Sequence, residues 1–434
     1  MKRKIASAIA TLSLLLYSFA IPVFAQTTTL GISGNGSDSD NEVKAETKTE
    51  TTVVQSNNAN IENKIEAEAN TGDNKAKDNT GGNTTIDTGN ATTRVDVSNQ
   101  ANANTADVNC PTCLGSVDAT ISGNGSDSKN EIKTEQKNKT EVYQTNNADI
   151  ENDIEAKANT GDNEVEDNTG GNSEVRTGDA QASVTIGNLA NANAASIGGG
   201  NNQGSISALI TGNGSDSKNK IDLEHEQSIL LVQDNNADIE NDIEAKANTG
   251  DNEVEDNTGG DVTVDTGNAT TDVTVDNAVN FNWADISCCI FDVLAKISGN
   301  GSDSENKIEA EFENELQAFQ NNCGKDGIST GPQGLFMDGR GKCELENKIE
   351  AESETGNNDP EGNTGPIAND PVEVTTGDAE DGVTVDNSAN VNIFGRNADD
   401  SSSMGLDNLL DGLGLHFSFN LQALLALLQS LNIG

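Results

Sequence analysis

The sequence predicts an all-β chain, a repetitive β-solenoid (β-helix) with a short C-terminal helix. Three observations carry this expectation. Long segments recur at nearly constant spacing. Inside each recurrence apolar and polar residues alternate with a period of two. And 33% hydrophobic with 3% aromatic residues is too little apolar bulk for one large globular core. Stacked repeats, each burying its face on the next, fit that composition better.

The first element is a leader. Lys2, Arg3 and Lys4 precede an uncharged apolar run from Ile5 to Phe24, and Val23 and Ala25 suit a signal-peptidase site. Residues 1–25 therefore read as a secretory signal cleaved after Ala25, with a retained N-terminal anchor as the alternative. No later stretch reaches the roughly 20 apolar residues a spanning helix needs. The expected location is extracellular or cell-surface associated, with no transmembrane span.

The formal charge is −47, and removing the three basic leader residues leaves −50. Such a surface repels nucleic-acid phosphates, attracts cations and stays in solution. Two histidines, His225 and His416, stand far apart in unrelated contexts, which argues against a histidine zinc site or a Ser-His-Asp triad. Carboxylates are everywhere, so none stands out as a catalytic pair. The chain reads as a non-enzyme.

The octapeptide Ile-Ser-Gly-Asn-Gly-Ser-Asp-Ser begins at Ile32, Ile121 and Ile297, and a variant with Thr211 begins at Ile210. The offsets are 89, 89 and 87 residues. Thr-Gly-Asp-Asn recurs at Thr71, Thr160 and Thr249, and Asp-Asn-Thr-Gly-Gly at Asp78, Asp167 and Asp256. The expected units are 26–120 with its connector, 121–209, 210–296 and 297–396, followed by a linker and apolar helix over 397–434.

Alternation then assigns faces. Val53, Gln55, Asn57, Ala59, Ile61, Asn63, Ile65, Ala67 and Ala69 share the inward parity, with Glu62, Glu66 and Glu68 outward. A second run, Val95, Val97, Asn99, Ala101 and Ala103, has counterparts in Val273, Val275 and Asn277 and in Val383, Val385, Asn387, Ala389 and Val391. Clusters of Gly, Asn, Asp and Thr punctuate the runs as turns require. Buried Asn is costly alone, but identical Asn residues stacked at strand spacing bond one another. The expected coil is about 22 residues, four to each unit, stacked into a solenoid.

Gln-x-Asn-x-Ala recurs at Gln55–Ala59, Gln144–Ala148 and Gln233–Ala237. This resembles the curlin repeats of curli fibres, and the chain as a whole resembles Asn-Gly-Thr-rich repeat surface proteins of bacteria. The resemblance implies a β-solenoid with inward Gln and Asn ladders. The units here are four times longer and far more acidic, and charged walls resist edge pairing.

Gly34-Asn35-Gly36-Ser37-Asp38 has the Gly-x-Gly-x-Asp spacing of calcium-binding β-roll repeats, and it recurs to Asp127, Asp216 and Asp303. Those four aspartates are the candidate calcium ligands. Against this, Asp40, Lys129, Lys218 and Glu305 occupy the place of the usual apolar residue, and the motif occurs once per unit. A plain Gly/Asn turn is the competing reading. No other cofactor is expected.

Six cysteines in an exported chain point to disulfides. In the fourth unit 58 residues separate the octapeptide from the Thr-Gly marker, against 39 elsewhere. Residues 323–343 account for the excess by replacing a two-residue step such as Ala59-Asn60. The ends of that insertion must sit close, so Cys323–Cys343 is the expected bridge. Its loop, with Pro332, Leu335, Phe336 and Met337, is a candidate contact site. Cys110 and Cys113 form a second, local candidate bridge, and Cys288 and Cys289 stay open between several pairings.

Leu421, Leu424, Leu425, Leu428 and Leu431 follow helical spacing. This helix reads equally as a cap on the solenoid or as a docking or anchoring element, self-association of the chain being one form of docking. Three functions compete: a structural or adhesive surface protein binding an extracellular glycan or protein, a calcium-binding β-roll-like module, and a glycan-degrading β-helix enzyme. The enzyme needs a site that breaks the repeat symmetry. Only the Cys323–Cys343 loop and the connectors break it.

Overall fold

The computed structural model describes residues 28–108, 116–197, 205–286, 292–323, 343–365 and 372–394. The predicted leader, the C-terminal helix, Cys110, Cys113, Cys288, Cys289 and the interior of the Cys323–Cys343 loop lie outside them.

The described chain is a β-solenoid of four stacked rungs. The first holds β1 (Thr28–Ser33), β2 (Asp40–Asn70), β3 (Lys75–Lys77), β4 (Thr84–Asp87) and β5 (Ala91–Ala101). Each strand pairs in parallel with its counterpart in the next repeat. Thr28 faces Val117, Asp40 faces Lys129, and Ala91 faces Ala180, all 89 residues apart. The third-to-fourth step is 87 residues in the strand beginning at Lys218, whose partner begins at Glu305. One repeat is therefore one whole rung, which corrects the expected coil of a quarter of a repeat. β2 runs 31 residues without a break, so no corner divides it.

Each rung is flat. β2 runs out, the chain turns through β3 and β4, and β5 returns across the inward face of β2. Ile65 and Ala67 pack on Val95 and Val97, Ala69 on Ala91, and Ala59 and Ile61 on Ala101. β1 covers the start of β2, where Leu30 and Ile32 meet Val43 and Ala45. The two-residue period makes this possible, because every second side chain of each strand enters the same narrow interior. Each fully buried Ile, such as Ile154 or Ile243, is worth about 1.5–3 kcal/mol.

The chain climbs as it winds, so β5 sits half a step above β2. Asn99 shows it: its Oδ1 accepts from Asn63 below at 3.0 Å and its Nδ2 donates to Asn152 above at 2.9 Å. Val95 and Val97 are thus covered from both sides and are buried. Their last-rung counterparts Val383 and Val385 have no further rung above them among the described residues and are 51% and 41% exposed.

The inward parity of the second run holds only to Ala101. Asn102, Asn191, Asn280 and Asn390 adopt left-handed backbone, with φ of 58°, 60°, 61° and 64°. Pairing skips them: Ala190 faces Val279, and the next partners are Ala192 and Phe281. Each is a one-residue left-handed kink, at the same place in every rung, that exchanges the two faces. Asn104, Ala106 and Val108 point inward in place of Ala103, and Asn392 in place of Val391. Asn tolerates this conformation at low cost, which is the local signal that alternation alone passed over.

The turns stack as closely as the strands. A Cβ on Gly161 would lie 1.9 Å from the carbonyl oxygen of Gly250, so Thr-Gly-Asp-Asn admits only glycine there. In the octapeptide, Asn124 donates its Nδ2 to Asn130 at 2.8 Å, and Asn213 does the same to Asn219 at 3.2 Å. The octapeptide is the corner between the first and second strands of each rung, locked by its own asparagine.

Candidate functional surface

Inward columns belong to the fold. Asn63, Asn152, Asn241 and Asn347 form one ladder, with bonds of 2.8, 2.6 and 2.6 Å. Asn99, Asn188, Asn277 and Asn387 form the facing one, at 2.8, 2.7 and 2.8 Å. Gln55, Gln144, Gln233 and Gln320 form a third, each bond 2.8 Å. Further Asn columns line the turns, among them Asn74–Asn163–Asn252–Asn358.

What remains for function is the outward walls, the Cys-bounded excursion and the two ends. On the walls, in-register stacking places carboxylates one strand spacing apart, about 4.8 Å. Glu62, Glu151, Glu240 and Glu346 make such a column, and Glu66, Glu155, Glu244 and Glu350 another. Lysines interrupt some columns. Lys64 bridges to Asp153 at 2.7 Å, Lys348 to Asp242 at 2.8 Å, and Lys137 lies 3.2 and 3.3 Å from Glu224 and Glu226. Lys137 is held above its ordinary range by hydrogen bonding to those two carboxylates and then to Glu135. Glu164 is pulled down to about 2 by hydrogen bonds from Lys75 and then Lys77.

Elsewhere carboxylates crowd without a cation. Partial desolvation raises Asp162, and the charges of Asp251 and Asp73 in its column add to this against hydrogen bonds from Asn159 and Asn248. Desolvation, then Glu253, Asp359 and Glu361, raises Glu255. Glu255, Asp359 and Glu361 form the one group of three metal-competent side chains among the described residues, and it lies on the turn side of the last two rungs.

The four candidate calcium ligands sit elsewhere. Asp38, Asp127, Asp216 and Asp303 are exposed in left-handed turn positions, with φ of 59°, 57°, 58° and 60°. They form a column, one per rung. The first and third are two strand spacings apart, roughly 9.6 Å. Calcium–oxygen distances are about 2.3–2.6 Å, so at most two neighbouring carboxylates reach one ion. The arrangement offers no shared cage of four.

Cys323 and Cys343 are bridged, with Cα atoms 5.3 Å apart. The register shifts the expected step by one residue. Asn235 faces Asn322 and Ile239 faces Leu345, so Cys323 takes the column of Asn58, Asn147 and Asn236, and Cys343 that of Ala59, Ala148 and Ala237. Leu345, Asn347, Ile349 and Ala351 then resume the inward columns. The excursion leaves at one point and returns one residue later.

Comparison with protein-family models, curated proteins and solved structures finds no match to this chain. Among the described residues no helix is long and apolar enough to cross a membrane.

Proposed function

We propose that this chain is an exported structural or adhesive protein of a bacterial-type cell surface, whose four rungs hold out an acidic wall and one disulfide-clasped loop. One observation carries the reading: rung-to-rung register is kept by side-chain ladders through the interior, while the insertion between the strands ending at Asn322 and beginning at Leu345 is clasped by Cys323–Cys343. A scaffold needs regular stacking and a presented element. A glycan-degrading enzyme would need a differentiated acid/base pair, and the wall carboxylates repeat from rung to rung. A leader, an acidic soluble exterior and a bridged cysteine pair agree with export.

The test expresses the full chain with its leader in a bacterial host and labels intact cells. Surface labelling, together with cell attachment to glycan- or protein-coated plates that is lost when residues 324–342 are removed, supports the reading. Retention in the cytoplasm, or attachment indifferent to both chain and loop, overturns it.

A further inference from the structure

The donors of the central asparagine ladders all point one way. Asn63 donates to Asn99, Asn99 to Asn152, Asn152 to Asn188, and the series continues through Asn347, whose Nδ2 reaches Asn387 at 3.4 Å. A one-way series has two unlike ends. Among the described residues nothing donates to Asn63 Oδ1, and nothing accepts from Asn387 Nδ2. Reversing every amide would exchange the donor end with the acceptor end and leave them complementary.

The edges match in the same sense. The first rung ends at β2 and β5, and the last at Glu305–Asn322, Leu345–Glu354 and Ala379–Phe394, each the outermost strand of its sheet. Their free backbone groups run parallel and in one register. Apolar columns are open at the last rung too, where Val383 and Val385 are exposed although their inner counterparts are buried.

We infer that the last rung binds the first rung of a second copy of this chain, continuing the solenoid head to tail. Asn387 would meet Asn63 of the next copy as Asn277 meets Asn347 within one chain, at 3.2 Å. Val383 and Val385 would be covered by Ile65 and Ala67, as Val95 and Val97 are covered by the second rung. Unlike ends make a heterologous contact, which grows open chains of copies. The leucine-spaced segment beyond Phe394 is a poorer occupant. The helix that its leucine spacing predicts would satisfy its own backbone groups and leave the strand edge and the Asn387 donor unmet.

The walls set a condition. Across the junction Glu350 would face Glu66 and Lys348 would face Lys64, like with like. Stacking should strengthen as salt rises from roughly 0.01 M to roughly 1 M, where the Debye length falls from about 30 to about 3 Å.

Cross-linking tests this in the full mature chain. Glu66→Cys and Glu350→Cys variants are prepared separately. Both positions are exposed on the wall, and the register would bring them to one strand spacing, about 4.8 Å, within disulfide reach. Mixed at high salt, they should give a disulfide dimer well above the level of either variant alone, and light scattering should grow with concentration. Val383→Lys with Val385→Lys should raise the concentration needed for stacking by about tenfold or more, because two charges would be buried at the junction. The inference is overturned if the chain stays monomeric at high salt, or if either variant alone cross-links as well as the mixture. It is equally overturned if a chain ending at Arg396 stacks while the full chain does not, since the C-terminal segment would then be the occupant.

Discussion

Asparagine is the residue that makes this interior possible. It is small enough for a rung two side chains thick, and it carries one donor face and one acceptor face, so each copy satisfies the next. Asn152 is fully buried, accepts from Asn63 and Asn99, and donates to Asn241 at 2.6 Å and Asn188 at 3.3 Å. Asn152→Asp removes both donated bonds and buries a charge, so chemical denaturation should show a loss of roughly 3 kcal/mol or more. Asn63→Asp, on the half-buried first rung, should cost less. Glu151→Gln, on the wall between Glu62 and Glu240, should change stability by less than about 0.5 kcal/mol or raise it slightly. Equal losses at Asn152 and Glu151 would contradict the assigned faces. These faces were legible from parity alone, since Asn63, Asn152 and Glu62 lie as alternation places them.

At the scale of the element, two local departures show where alternation stops being sufficient. The left-handed kinks at Asn102, Asn191, Asn280 and Asn390 reverse the faces of the rest of their strand runs. Parity counting cannot see a residue whose backbone is left-handed, because the swap arises from φ and not from side-chain polarity. The Cys323–Cys343 bridge was legible because it rests on length: two ends that one rung joins in one step must be neighbours in every rung. The register adds that the excursion replaces an Asn-Ala step. Deleting residues 324–342 with Cys323→Asn and Cys343→Ala restores that step. The variant should keep its β circular dichroism and lie within roughly 1 kcal/mol of the parent, since a shorter closed loop offsets the lost cross-link. Loss of the β signal would place the loop in the core.

At the scale of the whole molecule, stacking repeats also stacks charge. Much of a net charge of −47 lies on columns about 4.8 Å apart, with too few lysines to alternate throughout. Two groups of carboxylates then respond to acid in opposite senses. Asp162, Glu255 and Glu354 are raised, by desolvation first and neighbouring carboxylates next. A raised group binds its proton more tightly in the folded state, so its contribution is present at low pH and is lost as pH rises through the folded value. Glu164, lowered to about 2 by Lys75 and Lys77, contributes above its unfolded value of about 4.3 and loses that contribution as pH falls toward 2. The melting temperature should therefore rise as pH falls from neutrality toward the unfolded carboxylate range near about 4, and fall again below it as Glu164 loses its contribution. A maximum at or above pH 7 at low salt would show that the acidic columns do not govern stability.

The sequence by itself determined the strand parity as far as the left-handed asparagines, the columns of Asn and Gln, the corners at the octapeptide and Thr-Gly-Asp-Asn, and the position of the disulfide. All follow from period two and from distances along the chain. Only the tertiary structure decided that a rung is a whole repeat, that β5 returns across β2 half a step higher, and that the two ends of the stack differ. Alternation states which side chains are buried without stating what they face. A β2 of 31 unbroken residues and a coil bent every few residues share the same inward parity. What separates them is whether the backbone turns, and that rests on a few Gly, Asp and Asn residues with positive φ, whose bend becomes decisive once the next rung lies against it.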